Sequence, residues 1–173
     1  MQNVKSIINS HNTKITSNES IHPNLKTCNC RNKEICPLNN ECLSTNIIYE
    51  ATLKSEIHND KEKKYIGLCN TTFKKRYSNH KKSFNTEKYK NSTALSTEYW
   101  KVKEQNGQPT VTWKVLRKSK AYSPESKNCQ LCLNEKYEIA SSKEPNLLNK
   151  RSEVVSKCRH RRKFILGLYD TRD

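Results

Sequence analysis

The stretch KYIGLCNTTFKKRYSNHKKSF, residues 64–84, changes its period halfway along. KKYIGL (63–68) has the short alternation of a β-strand. From Thr71 or Thr72, either able to cap a helix, Phe73, Tyr77 and Phe84 fall near one helical face with Arg76, His80 and Lys81 beside it. A strand that turns into a basic helix therefore fixes the centre of the fold.

Working outward, NIIYEATLKSEI (46–57) alternates and carries β-branched residues. The polar HNDKEK between it and KKYIGL reads as a hairpin loop, so the two strands are expected to pair. A second helix is predicted over about 94–105, with Leu95, Tyr99 and Val102 as its buried stripe and Asn106-Gly107 as its stop. PTVTWKVL (109–116) alternates as a third strand, and both Trp100 and Trp113 sit on the apolar pattern of their elements, as core residues do. CQLCLNEKYEIA (129–140) reads as a third helix, and NLLNKRSEVVSKCRHRRKF (146–164) as a loop entering a last basic helix. This order predicts an α/β fold, a small sheet covered by helices.

The chain has 173 residues, of which 32% are hydrophobic and three are glycine, enough for one compact domain with polar margins. Lys and Arg number 33 against 17 Asp and Glu, and the net charge of +16 is spread along the chain. Such a field draws a polyanion, because phosphate binding releases condensed counterions, so nucleic acid is the expected partner. MQNVKSIINSHNTKITSNES (1–20) lacks the apolar core of a signal peptide, and FILGLY (164–169) is too short to span a bilayer; no membrane partner is expected. The eight cysteines are then expected in a reducing compartment, where metal binding competes better than disulfide formation.

Hydrolysing a phosphodiester requires a group that activates water, a cation for the developing charge, and usually a carboxylate-held divalent metal. Tyr49 and Tyr65 can converge from paired strands, while Arg76 lies early on the following helix with His80 one turn later. Glu135 offers the hard oxygen that Mg²⁺ prefers. Each alone has a duller use: a packed tyrosine, a solvated arginine, a surface carboxylate.

Together, IIY (47–49), YIG (65–67), Arg76, His80, Glu135 and Asn149 resemble the motif order of the GIY-YIG endonucleases. The resemblance implies a three-stranded antiparallel sheet flanked by helices. It further implies that Tyr49 and Tyr65 position or deprotonate the attacking water, that Arg76 stabilises phosphorane-like charge, and that Glu135 holds one Mg²⁺ or Mn²⁺. His80 would assist as general base or contact the phosphate, and Asn149 would steady the metal side. Ile47 stands where the family's first glycine is usual, the loop between the tyrosines is long, and one extra residue separates Tyr65 from Arg76. These departures leave Glu138 open as the ligand beside the preferred Glu135. More narrowly, TFKKRYSNH (72–80), CQLCLNEK (129–136), LLNKRSE (147–153) and SKCRH (156–160) are similar to the endonuclease domains of Penelope-like retroelements, over about residues 28–168. That likeness implies a nick whose 3′ hydroxyl primes reverse transcription, a reverse transcriptase as fused or separate partner, and a nuclear location.

Cys129-x-x-Cys132, with Cys158 and His160, supplies four ligands for a tetrahedral Zn²⁺ that would tie the Glu135 helix to the basic C-terminal segment. Cys28, Cys30, Cys36 and Cys42 form a second candidate zinc set ahead of the first strand, with disulfides as the competing use. Cys69 has no evident partner and reads as packing. Lys74, Lys75, Lys81 and Lys82, with Arg159, Arg161 and Arg162, are expected to hold the backbone of duplex DNA. The expected organisation is a flexible polar leader (1–25), a Cys-rich segment (26–45), an endonuclease-like domain (46–168) and a tail (169–173). Metal-dependent DNA nicking is the expected function; a catalytically inactive, zinc-stabilised DNA- or RNA-binding module is the competing reading.

Overall fold

The computed structural model describes residues 3–16, 27–56, 62–123, 128–158 and 160. Three antiparallel strands, β1 (Ile47–Lys54), β2 (Lys63–Cys69) and β3 (Thr110–Lys118), form a sheet in the order β2-β1-β3. Across β1 and β2, Tyr49 lies opposite Gly67 and Ala51 opposite Tyr65; across β1 and β3, Ala51 lies opposite Trp113. Because side chains alternate and cross-strand partners share a side, both phenols, Gly67 and Trp113 occupy one face.

Helices cover both faces. Ile47, Tyr49, Ala51, Leu53, Tyr65 and Cys69 pack under α2 (Phe73–Asn85) and α3 (Ala94–Glu104) through Phe73, Phe84 and Leu95. On the other side Ile48 and Ile66 pack under α4 (Gln130–Ser141) through Leu131, Cys132 and Ile139. Central strand β1 is therefore buried on both sides from Ile47 to Ala51, and its alternation divides one core from another instead of core from solvent. Its one buried carboxylate, Glu50, is matched by Lys114 Nζ at 2.8 Å.

Helix α3 starts on a capping box made by Thr93 and Ser96 and ends where the sequence predicted. Asn106 takes the left-handed conformation at φ 60°, its N–H reaching the Lys103 carbonyl at 3.0 Å and that of Gly107 reaching Val102 at 2.9 Å. The pair makes a Schellman stop with asparagine, not glycine, in the strained position.

Two expectations change. Within the expected flexible leader, Val4–Thr16 is a helix, α1; it contains no Gly or Pro, and Val4, Ile7 and Ile8 recur at helical spacing. Of the last basic helix only α5 (Arg151–Val154) is found among the described residues; residues 155–158 are described and not helical, while 159 and 161–164 lie outside the described residues, as does the centre of the hairpin loop. Among the described residues no helix is long and apolar enough to cross a membrane.

Candidate active site

Strand β2 has only one strand neighbour, so the N–H and C=O groups of alternate residues along its outer edge require partners from elsewhere. They are met in order. Lys64 donates to the Asn146 carbonyl at 3.1 Å and accepts from Leu148 at 2.7 Å. Ile66 donates to Asn149 Oδ1 at 2.7 Å and accepts from Asn149 Nδ2 at 2.8 Å. The Leu68 amide lies near enough to Glu135 to favour its charged form. Residues remote in the chain are thus drawn to the Tyr-Ile-Gly strand by its unpaired backbone.

This revises the expected role of Asn149. Its amide is a backbone clamp, and the second Nδ2 hydrogen reaches Glu153 Oε2 at 3.0 Å. Lys150 N–H holds the other oxygen of Glu153 at 2.9 Å.

On the α2 face, Tyr49 is fully buried and its hydroxyl lies 2.9 Å from Arg76 Nε and 2.8 Å from His80 Nε2. Arginine can only donate, so the phenol oxygen accepts from Arg76 and passes its own proton toward His80. Nε2 of His80 is then the acceptor and Nδ1 carries the ring proton. Gly67 makes room for this chain: a Cβ there would lie 2.6 Å from the Tyr49 hydroxyl oxygen and 3.0 Å from Tyr65 Cε1. Burial raises Tyr49 above the ordinary phenol range despite Arg76, and pushes Tyr65 up to about 12.

His80 departs from the expected phosphate contact. It is 2% exposed, with its ring among Tyr49, Tyr65, Phe84 and Trp113. Burial first, and then the charge of Arg76, lowers its pKa from 6.5 to about 3. Between those values the unfolded chain binds a proton that the folded chain refuses, so this contribution to stability is complete above pH 6.5 and fades as pH falls toward 3. In urea melts at pH 6.5 and pH 4, His80→Gln, which keeps an acceptor for Tyr49, should lose about 3 kcal/mol less than the wild type over that interval. Equal losses would contradict the buried neutral ring.

Tyr65, Arg76 and Glu135 line one cavity of about 760 Å³, joined by Lys75, Asn79 and Glu153. Arg76, its Nε committed to Tyr49, borders this space beside Tyr65. Burial pushes the Glu135 carboxyl up to about 7; Glu153 adds to the shift, while the Leu68 amide, Arg76 and Lys136 oppose it. Glu138, the alternative ligand, accepts from Arg117 Nε of β3 at 2.8 Å and is not among the residues that line this cavity. Glu153 was missed in the sequence, although it stands four residues after Asn149, one turn on.

The basic residues separate. Lys75 reaches the main cavity, and Lys82 lines a smaller cleft of about 300 Å³ that shares Arg76, Asn79, Ser92 and Thr93 with it. Lys74 Nζ is held by Asn29 Oδ1 at 2.7 Å, and Lys81 lies over the Tyr77 ring. Arg159, Arg161 and Arg162 lie outside the described residues.

Both cysteine sets are assembled, with ligand atoms within 4.8 Å of one another in each. Cys28, Cys30, Cys36 and Cys42 show sulfur–sulfur separations of 3.5–3.6 Å. In the other set Cys132 lies 3.4 Å from the Cys158 sulfur and 3.2 Å from His160 Nδ1, and Cys129 Sγ lies 3.4 Å from that nitrogen. A tetrahedron with Zn–S bonds of about 2.3 Å has edges of about 3.8 Å, whereas a disulfide needs about 2.05 Å. Both sets could therefore hold zinc, and the second borders the cavity beside Glu135. Cys69 is buried, its thiol donating to the Thr71 carbonyl at 3.0 Å, as a packing residue would be.

Compared with protein-family models, curated proteins and solved structures, the chain matches none.

Proposed function

We propose that this chain is a metal-dependent DNA endonuclease of the GIY-YIG type that nicks one strand. The observation that carries the reading is the convergence of Tyr65, Arg76 and Glu135 on one cavity from three separate elements. A general nucleic-acid binder has no need to combine a guanidinium and a desolvated carboxylate in one pocket.

Glu135 would hold Mg²⁺ or Mn²⁺, which supplies charge neutralisation at the phosphate and a more acidic water. The chain does the rest. Arg76 places its terminal NH₂ groups where a phosphoryl oxygen gains charge. Tyr65 stays protonated at neutral pH and orients the phosphate or the attacking water as a hydrogen-bond donor. Tyr49 fixes Arg76 and is itself fixed by His80, so these two are positioning residues. Water attack that breaks the P–O3′ bond leaves a 5′ phosphate and a 3′ hydroxyl, the end that would prime a reverse transcriptase in a retroelement. Lys75 and Lys82 would carry the flanking backbone, and the +16 charge would bring the duplex in.

The test is nicking of supercoiled plasmid by zinc-loaded protein. Open circles formed with Mg²⁺, absent with EDTA and resealed by DNA ligase are expected. Tight duplex binding without any nicking would sink the proposal and leave a binding module.

A further inference from the structure

We propose that the four-cysteine segment is a metal-dependent cap that seats the start of α2, the helix bearing Arg76 and His80. A helix leaves its first N–H groups without intrahelical acceptors, and these are usually met by the side chain of the residue before it. Thr72 occupies that position with extended backbone, φ −66° and ψ 142°, yet its side chain makes no capping hydrogen bond. The acceptors come from about thirty residues upstream instead. Phe73 N–H donates to the Ser44 carbonyl at 2.9 Å, and Lys74 N–H donates to the Cys42 carbonyl at 2.7 Å.

Cys42 thus has two roles. Its sulfur lies 3.5 Å from Cys28 and 3.6 Å from Cys30, fully buried in the cluster, while its carbonyl closes the helix. A second strut comes from Asn29, which lies between two of the cysteines and accepts from Lys74 Nζ at 2.7 Å. Residues 27–46 contain no helix or strand, and only Leu38 of this stretch joins the large core cluster. Turn hydrogen bonds and the bond from Leu43 N–H to the Thr27 carbonyl at 2.9 Å shape the loop, and ligation at the four sulfurs would lock it, since binding to an otherwise irregular segment supplies folding free energy. Zn²⁺ matches the sulfur spacing and thiolate chemistry. Metal at this site would therefore determine whether the first turn of α2 is closed, and through it how firmly Arg76 is aimed.

The inference goes beyond the nuclease reading and stands whether or not the chain cleaves DNA, because the readout is amide exchange. Cys30→Ser in the full chain is expected to lower bound zinc by one equivalent. Exchange at Phe73 and Lys74 should then accelerate about tenfold or more, the factor that a lost cap corresponds to, while β1 and β3 keep their protection. Adding Thr72→Asp, which gives the helix a side-chain cap, should restore protection at the helix start without restoring the metal. Unchanged exchange at Phe73 and Lys74 after zinc is lost would overturn the proposal. So would protection lost evenly across all three strands, or a Thr72→Asp change with no effect in the zinc-depleted variant.

Discussion

Gly67→Ala is expected to lower stability by about 3 kcal/mol, the upper end of what overpacking a core costs, and the melting temperature by roughly 6–12 °C for a chain of this length. The cause is space, not backbone conformation, since Gly67 has no positive φ. A methyl group there would meet the Tyr49 hydroxyl at 2.6 Å and Tyr49 Cζ at 2.8 Å, and Tyr49 has nowhere to retreat because Phe73 and Trp113 pack on its ring. Moving the phenol also breaks its bonds to Arg76 and His80. Adding Tyr49→Phe to Gly67→Ala removes the nearest clashing atom, so the double variant should lose less than the sum of the two single losses. Thermal melts of the three proteins decide this; strict additivity would mean that the glycine and the phenol are not in contact.

Arg76→Lys should cut plasmid nicking by roughly 10²–10³, while duplex affinity falls by less than about tenfold. Lysine keeps the charge, so the long-range attraction to DNA survives. It lacks the planar fork, and so cannot bond Tyr49 through one nitrogen while offering two more to a phosphate. Single-turnover nicking and equilibrium binding on the same duplex separate the two effects. Equal losses in both would make Arg76 a plain DNA-contact residue.

The strand-to-helix passage at 64–84 was legible because side-chain period and backbone state agree there, residue by residue. The cysteine sets were legible from ligand type, since grouped Cys and His side chains are the donors that a tetrahedral Zn²⁺ takes. What could not be read was backbone hydrogen bonding between remote parts of the chain. Nothing in the letters of Asn149 says that it will staple Ile66, and nothing in Ser44 or Cys42 says that their carbonyls will close α2. His80 was placed beside the apolar face of α2 when it belongs inside it, because a histidine accepting from a buried phenol is neutral and behaves as an aromatic core residue. Glu153 was overlooked for a related reason: its place beside Glu135 depends on the edge of β2, not on helical periodicity.

That edge has a consequence for how the chain can change in length. Lys64 and Ile66 each answer a different remote group, and their outward orientation depends on odd and even positions staying as they are. Adding or deleting one residue between them would turn the answering groups toward β1 and leave the carboxamide of Asn149 and the main chain of 146–148 without their partners. Growth or loss by single residues is therefore tolerable before Lys63 and after Cys69 but not between them, and homologous chains should differ in length only outside that short run.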